Sequence, residues 1–173
     1  MAYIMVDVES DGPIPGDYSM VCFGAVVVEN ELGRSFFGRT QPISEKWLPE
    51  ALAISGYSRH EHMTFDDPRE VMLRFERWLE LLGLKRIVFI SDNNGYDWSF
   101  INWYFHHYLG SNPFGFSSQN LNSLYKGLTK NPMASFKHLR TTEHTHHPVD
   151  DARGNAESLL RMNDEYGLNL RLT

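Results

Sequence analysis

The sequence predicts an α/β domain, a mixed β-sheet with helices packed on it. Three observations carry that prediction. Three strand-like runs follow one another within the first 41 residues, joined by short links. A fourth such run lies between two helix-like segments. The chain then closes on another helical pattern. Tyr3 to Glu9 alternates in part and is partly β-branched, which reads as a strand. Val21 to Glu29 (VCFGAVVVE) is a nearly continuous apolar run, suited to a strand buried on both faces. Between them, SDGPIPGDYS holds two glycines and two prolines and reads as a loop. Arg34 to Gln41 is a third strand, entered through a turn at Glu31 to Gly33. Three consecutive strands with short links predict an antiparallel meander.

Ile43 to Asp67 reads as a polar stretch with short helical turns. Pro68 opens an amphipathic helix, PREVMLRFERWLELLGL, with Gly83 near its end. Arg86 to Ser91 is a strand, and about Asp97 to Leu109 a helix. Gly110 to Thr145 is rich in Gly, Ser and Asn and reads as loop, with one helix around Leu121 to Leu128. Val149 to Tyr166 is the last helix. No internal repeat, linker or low-complexity tract interrupts residues 1–173, which read as a single domain.

Composition narrows the class. The chain has 173 residues, 42% hydrophobic and 22% charged, enough for one domain with a real core. The single cysteine, Cys22, excludes an intrachain disulfide and fits a reducing compartment. The N-terminal MAYIMVDVES lacks the basic start and long apolar run of a signal peptide. No apolar stretch is long enough to span a bilayer, so a cytoplasmic protein without a membrane partner is expected.

The formal net charge of −6 argues against a protein that binds polyanions over its whole surface. The charge is uneven, however. Trp98 through Thr142 contains no Asp or Glu, but carries Lys126, Lys130, Lys137 and Arg140 together with ten aromatic residues. Cations interleaved with aromatics suit single-stranded nucleic acid, because bases stack on rings while phosphates seek cations. The aromatics from Trp98 to Tyr108 have helical spacing and read as core-facing instead.

Three short motifs carry candidate chemistry. In YIMVDVESDG, Asp7 and Glu9 are two apart on a strand and share a face. They end that strand before a Gly/Pro loop, the edge where α/β sheets hold ligands. Two adjacent carboxylates repel, and a hard divalent cation such as Mg²⁺ removes the conflict. In FISDNNGYDWSF, Asp92 at the strand end competes with Asp97 on the helix. In HTHHPVDDARGNAES, Asp150 and Asp151 sit in the first turn of the last helix, behind His144, His146 and His147. A histidine near neutral pKa can take a proton from water. Alone, each fragment has a plainer reading as a solvent-facing strand end, a helix-dipole acid or a cap.

Together, in this order, the motifs resemble those of the DEDDh branch of the 3′–5′ exonucleases, with its RNase T-like and polymerase III proofreading-subunit-like members. D-x-E-x-T-G is met by Asp7, Glu9 and Gly12, with Asp11 in the place of Thr. N-x-x-F-D-x-x-F is met by Asn93, Asp97 and Phe100, with Tyr96 for the first Phe. H-x-A-x-x-D-A is met by His146, Asp151 and Ala152, with Pro148 for Ala. The resemblance selects Asp97, His146 and Asp151 over their neighbours and leaves His144 and His147 to a polar loop.

The resemblance implies a ribonuclease H-like fold with a mixed five-stranded sheet. It implies two divalent cations, Mg²⁺ or Mn²⁺, held by Asp7, Glu9, Asp97 and Asp151, with His146 as general base. The implied activity is 3′–5′ exonucleolytic hydrolysis of single-stranded RNA or DNA to nucleoside 5′-monophosphates, with RNA slightly favoured. Backbone groups around Ser10 to Gly12 would approach the terminal nucleotide. Lys126, Lys130, Lys137 and Arg140 would guide upstream phosphates. Many relatives are homodimers, so a dimer is a possible state. The rival readings are a nucleic-acid-binding protein and a polymerase-associated proofreading subunit with little activity of its own. A zinc site from His138, His144, His146 and His147 is weaker, with irregular spacing and no cysteine ligand.

Overall fold

The computed structural model describes residues 2–170 and residue 172. Five strands form one mixed sheet: β1 (Ala2–Ser10), β2 (Met20–Val27), β3 (Ser35–Arg39), β4 (Ile87–Ser91) and β5 (Ser118–Asn120). Their order across the sheet is β3-β2-β1-β4-β5. The predicted meander is present: β1 pairs β2, and β2 pairs β3, both antiparallel. β1–β4 and β4–β5 are parallel. The short strand β5 lies inside the segment read as loop. Its three residues, Ser-Gln-Asn, have neither β-branching nor apolar alternation, so only pairing with β4 makes them a strand.

Among the described residues, six α-helices surround the sheet: α1 (Pro49–Ile54), α2 (Arg59–His62), α3 (Pro68–Leu81), α4 (Asn94–Leu109), α5 (Leu121–Thr129) and α6 (Pro148–Tyr166). Asp67 caps α3 by accepting from the backbone N–H of Arg69 and Glu70, and Pro68 supplies the fixed φ of the first turn. Gly110 and Gly167 end α4 and α6 in the left-handed conformation.

The period of two along β1 sorts its side chains. Ile4, Val6 and Val8 pack with α3 and α4 residues such as Val71, Phe75, Phe100 and Tyr104. Tyr3 and Met5 pack on the other side with Leu121, Ala152, Ala156 and Leu159 of α5 and α6. Asp7 and Glu9 continue the second row. Most α4 aromatics serve the core: Phe100, Tyr104 and Phe105 are fully buried. No described helix is long and apolar enough to cross a membrane.

Candidate active site

Four carboxylates meet where β1 ends. Asp7, Glu9 and Asp151 each offer an oxygen within 4.8 Å of the others. Asp97 enters from the opposite face of the sheet, in the first turn of α4. Its Oδ1 accepts the Val8 backbone N–H at 3.2 Å, which ties α4 to β1 between Asp7 and Glu9. The register of β1 on β2 breaks between Glu9 and Ser10, so the chain turns away as soon as both acids are placed.

A glycine lets Asp151 in. Gly24 pairs with Asp7 across β1–β2, on the same face. A Cβ at Gly24 would come within 2.4 Å of the Pro148 carbonyl carbon and the Val149 nitrogen. The N-terminus of α6 therefore rests directly on the β2 backbone, which brings its first-turn Asp151 to Asp7. In the sequence, that glycine interrupts an apolar run without any sign of the contact.

The electrostatics are those of buried, crowded carboxylates. Burial raises the Asp7 carboxyl well above its usual range, and Asp97, Asp92, Glu9 and Asp151 push it further. Burial lifts Glu9 to about 7, with Asp151 adding to the rise. Asp97 is also raised, by burial first and then by Asp92. The second oxygen of Asp97 is buried with no hydrogen-bond partner. Buried carboxylates are ordinarily paired or bound to metal, and an all-oxygen cluster of this charge fits a hard divalent cation. These residues could bind metal.

His146 stands at the rim, its Nδ1 3.8 Å from Glu9 Oε1. Its backbone adopts a left-handed φ of 60°, a costly conformation for a side-chain-bearing residue. The Asp151 carboxylate enforces it, accepting the N–H of Thr145 at 3.2 Å and of His146 at 3.0 Å. His144 is a neighbour that sequence reasoning left in a polar loop. Its Nδ1 lies 2.7 Å from Asp151 Oδ1, and its ring meets that of His146 at 4.3 Å. Its i−2 spacing from His146 was the only available signal. His147 turns outward, against Phe37 and Asp150.

Asp11, which stands in the place of Thr, is fully buried. It accepts from the Ser19 backbone N–H at 2.6 Å and from Arg59 at 2.8 Å. It anchors the loop after β1 to α2. Ser10 is buried, its hydroxyl bonded to Tyr96 and to the Gly12 carbonyl, and Gly12 packs so close to the Tyr18 ring that a Cβ would collide with it.

The four cations separate. Lys137 and Arg140 line a groove of about 330 Å³ with Asp92, Thr142 and His144. Lys126 is half-buried on α5, and Lys130 caps that helix, both outside the groove. Arg140 is largely enclosed. Its guanidinium donates to Asp151 Oδ1 at 2.9 Å and to Asn155 at 3.3 Å, in space left by Gly154, where a Cβ would approach to 2.6 Å.

No protein-family model matches the sequence. Among curated proteins, it is 38% identical over 176 residues to the 3′–5′ DNA exonuclease Cap18 of Escherichia coli, covering 94% of this chain and 91% of that protein. Among solved structures, the fold is similar to that of a 3′-exonuclease described with a histone mRNA stem-loop. There the TM-score is 0.78 at 16% identity, over 99% of this chain and 84% of that one. It is similar too to the zinc-bound E. coli ExoI–ssDNA complex, with a TM-score of 0.76 at 16% identity. That match takes in 96% of this chain but 41% of the larger one. With that sequence relative over nearly its whole length, and with the sheet order and helices described above, the chain belongs to the DEDDh-type 3′–5′ exonucleases of ribonuclease H-like fold.

Proposed function

We propose that the protein is a divalent-metal-dependent 3′–5′ exonuclease that releases nucleoside 5′-monophosphates from single-stranded DNA ends. The observation that supports it most is the carboxylate cluster at the end of β1, with its unpartnered Asp97 oxygen and His146 at the rim. The 38% identical relative is named a DNA exonuclease, which moves the substrate reading from RNA toward DNA.

In this reading Asp7, Glu9, Asp97 and Asp151 would hold two ions, Mg²⁺ or Mn²⁺. When bound, such ions supply Lewis-acid charge at the scissile phosphate. The protein's own groups do the rest. The Nδ1 side of the His146 ring faces Glu9 at 3.8 Å, which leaves Nε2 to accept the proton of the attacking water. The water oxygen bonds to phosphorus, the bond to the 3′-oxygen breaks, and that oxygen takes a proton from solvent water. The shortened strand keeps a 3′-hydroxyl and a 5′-monophosphate departs. The Ser10–Gly12 turn, tied down by Tyr96, walls the terminal nucleotide. Arg140 and His144 hold Asp151 by its Oδ1.

The direct test is digestion of matched 5′-labelled single-stranded DNA and RNA with Mg²⁺ or Mn²⁺, beside an Asp151→Ala control. A metal-dependent ladder shortening from the 3′ end, absent in the control, is expected, and faster on DNA. Binding without shortening would favour a nucleic-acid-binding or polymerase-associated subunit.

Lys137 is the exposed cation of the groove. Lys137→Ala is expected to reduce the slope of log affinity against log salt by about 0.7, one single-strand phosphate contact. Arg140→Ala, whose charge is directed at Asp151, is expected to leave that slope unchanged. Equal slopes for wild type and Lys137→Ala would remove Lys137 from the nucleic-acid path.

A further inference from the structure

We propose that His144, His146 and Asp151 form a second metal site, distinct in chemistry from the carboxylate cluster, that takes a borderline cation of the Zn²⁺ type. The zinc reading of the sequence grouped four histidines. The structure divides them. His138 lies against Tyr125, its Nδ1 3.0 Å from the Ser135 carbonyl, and His147 lies against Phe37. His144 and His146 turn to face each other, and Asp151 completes a triad whose ligand atoms all lie within 4.8 Å of one another.

The donor set decides the preference. Two imidazoles and one carboxylate suit zinc, cobalt or nickel, whereas an all-carboxylate set suits magnesium and manganese. Zinc bonds of about 2.0–2.2 Å in a tetrahedron need ligand atoms roughly 3.3 Å apart. The 2.7 Å contact of His144 Nδ1 to Asp151 Oδ1 is somewhat shorter than that spacing, and a small rotation of the ring opens it. Both histidine side chains are about half exposed, at 54% and 51%, so their rings can make the small rotations required. Three protein ligands leave a fourth position open, the arrangement of an exchangeable ion and not of a structural one.

Occupancy has a consequence for the proposed reaction. His146 contributes a ring nitrogen, and Asp151 an oxygen, to the second ion. Zinc bound here therefore withdraws the proton acceptor and one acid of the carboxylate cluster together. The site acts as an inhibitory zinc switch. The inhibition rests on the exonuclease reading, whereas the binding does not.

The experiment uses the full chain stripped of metal by a chelator. Zn²⁺ binding is followed by calorimetry in saturating Mg²⁺, and Co²⁺ binding by its visible absorption. His144→Ala is expected to weaken zinc at least tenfold and to change the Co²⁺ spectrum, while His138→Ala changes neither. In the Mg²⁺-driven nuclease assay, half-inhibition by zinc is expected to rise at least tenfold in His144→Ala, relative to that variant's own zinc-free rate. Zinc binding unchanged in His144→Ala but lost in Asp7→Asn would overturn the proposal, since the ion would then lie among the carboxylates. Absence of nuclease activity with His144-dependent zinc binding intact would overturn the exonuclease reading alone.

Discussion

Asp97→Asn is expected to lower exonuclease turnover by roughly 10³-fold, the loss of several kcal/mol of charge stabilisation at the phosphate. It is also expected to make the metal-free protein more stable. Asp97 is buried among Asp7, Asp92 and Glu9, and one of its oxygens has no partner. Asparagine keeps the Oδ1 that accepts from Val8 and deletes the charge. The pH dependence follows from the same crowding. Glu9 is raised from 4.5 to about 7, and Asp7 and Asp97 are raised as well. A carboxyl raised on folding contributes stability below its unfolded value, and that contribution is lost as pH climbs through the folded value. The chelated wild type is therefore expected to melt at lower temperature at pH 8 than at pH 5. Saturating Mn²⁺ should flatten that decline, and Asp97→Asn should show a smaller one in chelator. Calorimetric melts at both pH values, beside turnover at pH 8, check this. Wild-type activity in Asp97→Asn, or pH-independent melting of the chelated wild type, would contradict it.

The second large effect comes from a residue without a functional group. Gly24→Ala places a Cβ 2.4 Å from the backbone of Pro148 and Val149. Backbone at a helix start cannot rotate aside as a side chain can, so α6 must shift. Overpacking of this kind costs about 1–3 kcal/mol, or a fall in melting temperature of roughly 5 °C for a chain of this size. The loss of activity is expected to be larger than that stability change explains. The displaced turn carries Asp151 and the Thr145–His146 backbone hydrogen bonds, and a misplacement of about 1 Å can cost about 10²-fold. Gly33→Ala, with open space around its Cβ, is the control and should leave both properties unchanged. Full turnover in folded Gly24→Ala would show that the approach of α6 to β2 does not set the position of Asp151.

Much of this was legible in the chain. Apolar periodicity gave β1 to β4, α3, α4 and α6 to within a few residues, because each buries one face or two and the pattern of burial is written locally. Asp7 and Glu9 declared a common face through their spacing of two. Asp97 and Asp151 needed the resemblance to be preferred over Asp92 and Asp150, since an acid in a first helical turn looks the same whether it caps, faces solvent or faces a metal. β5 was not legible, for its polar Ser118–Asn120 segment is a strand only by virtue of β4 beside it. Nor was the role of Arg140, which charge alone assigned to phosphates and which Gly154 and Asp151 draw inward.

Local sequence set the elements, the α/β class and the residue types available for chemistry, because propensity, periodicity and charge are properties of neighbours along the chain. The tertiary structure alone decided which of those residues meet. Asp7 and Asp151 are brought together by Gly24, and His144 and His146 by the turn into α6. The first contact depends on distances of a few ångströms between segments far apart in sequence, and the second on how the Asp151 carboxylate folds the turn before α6. Only the packing of helices on the sheet fixes them.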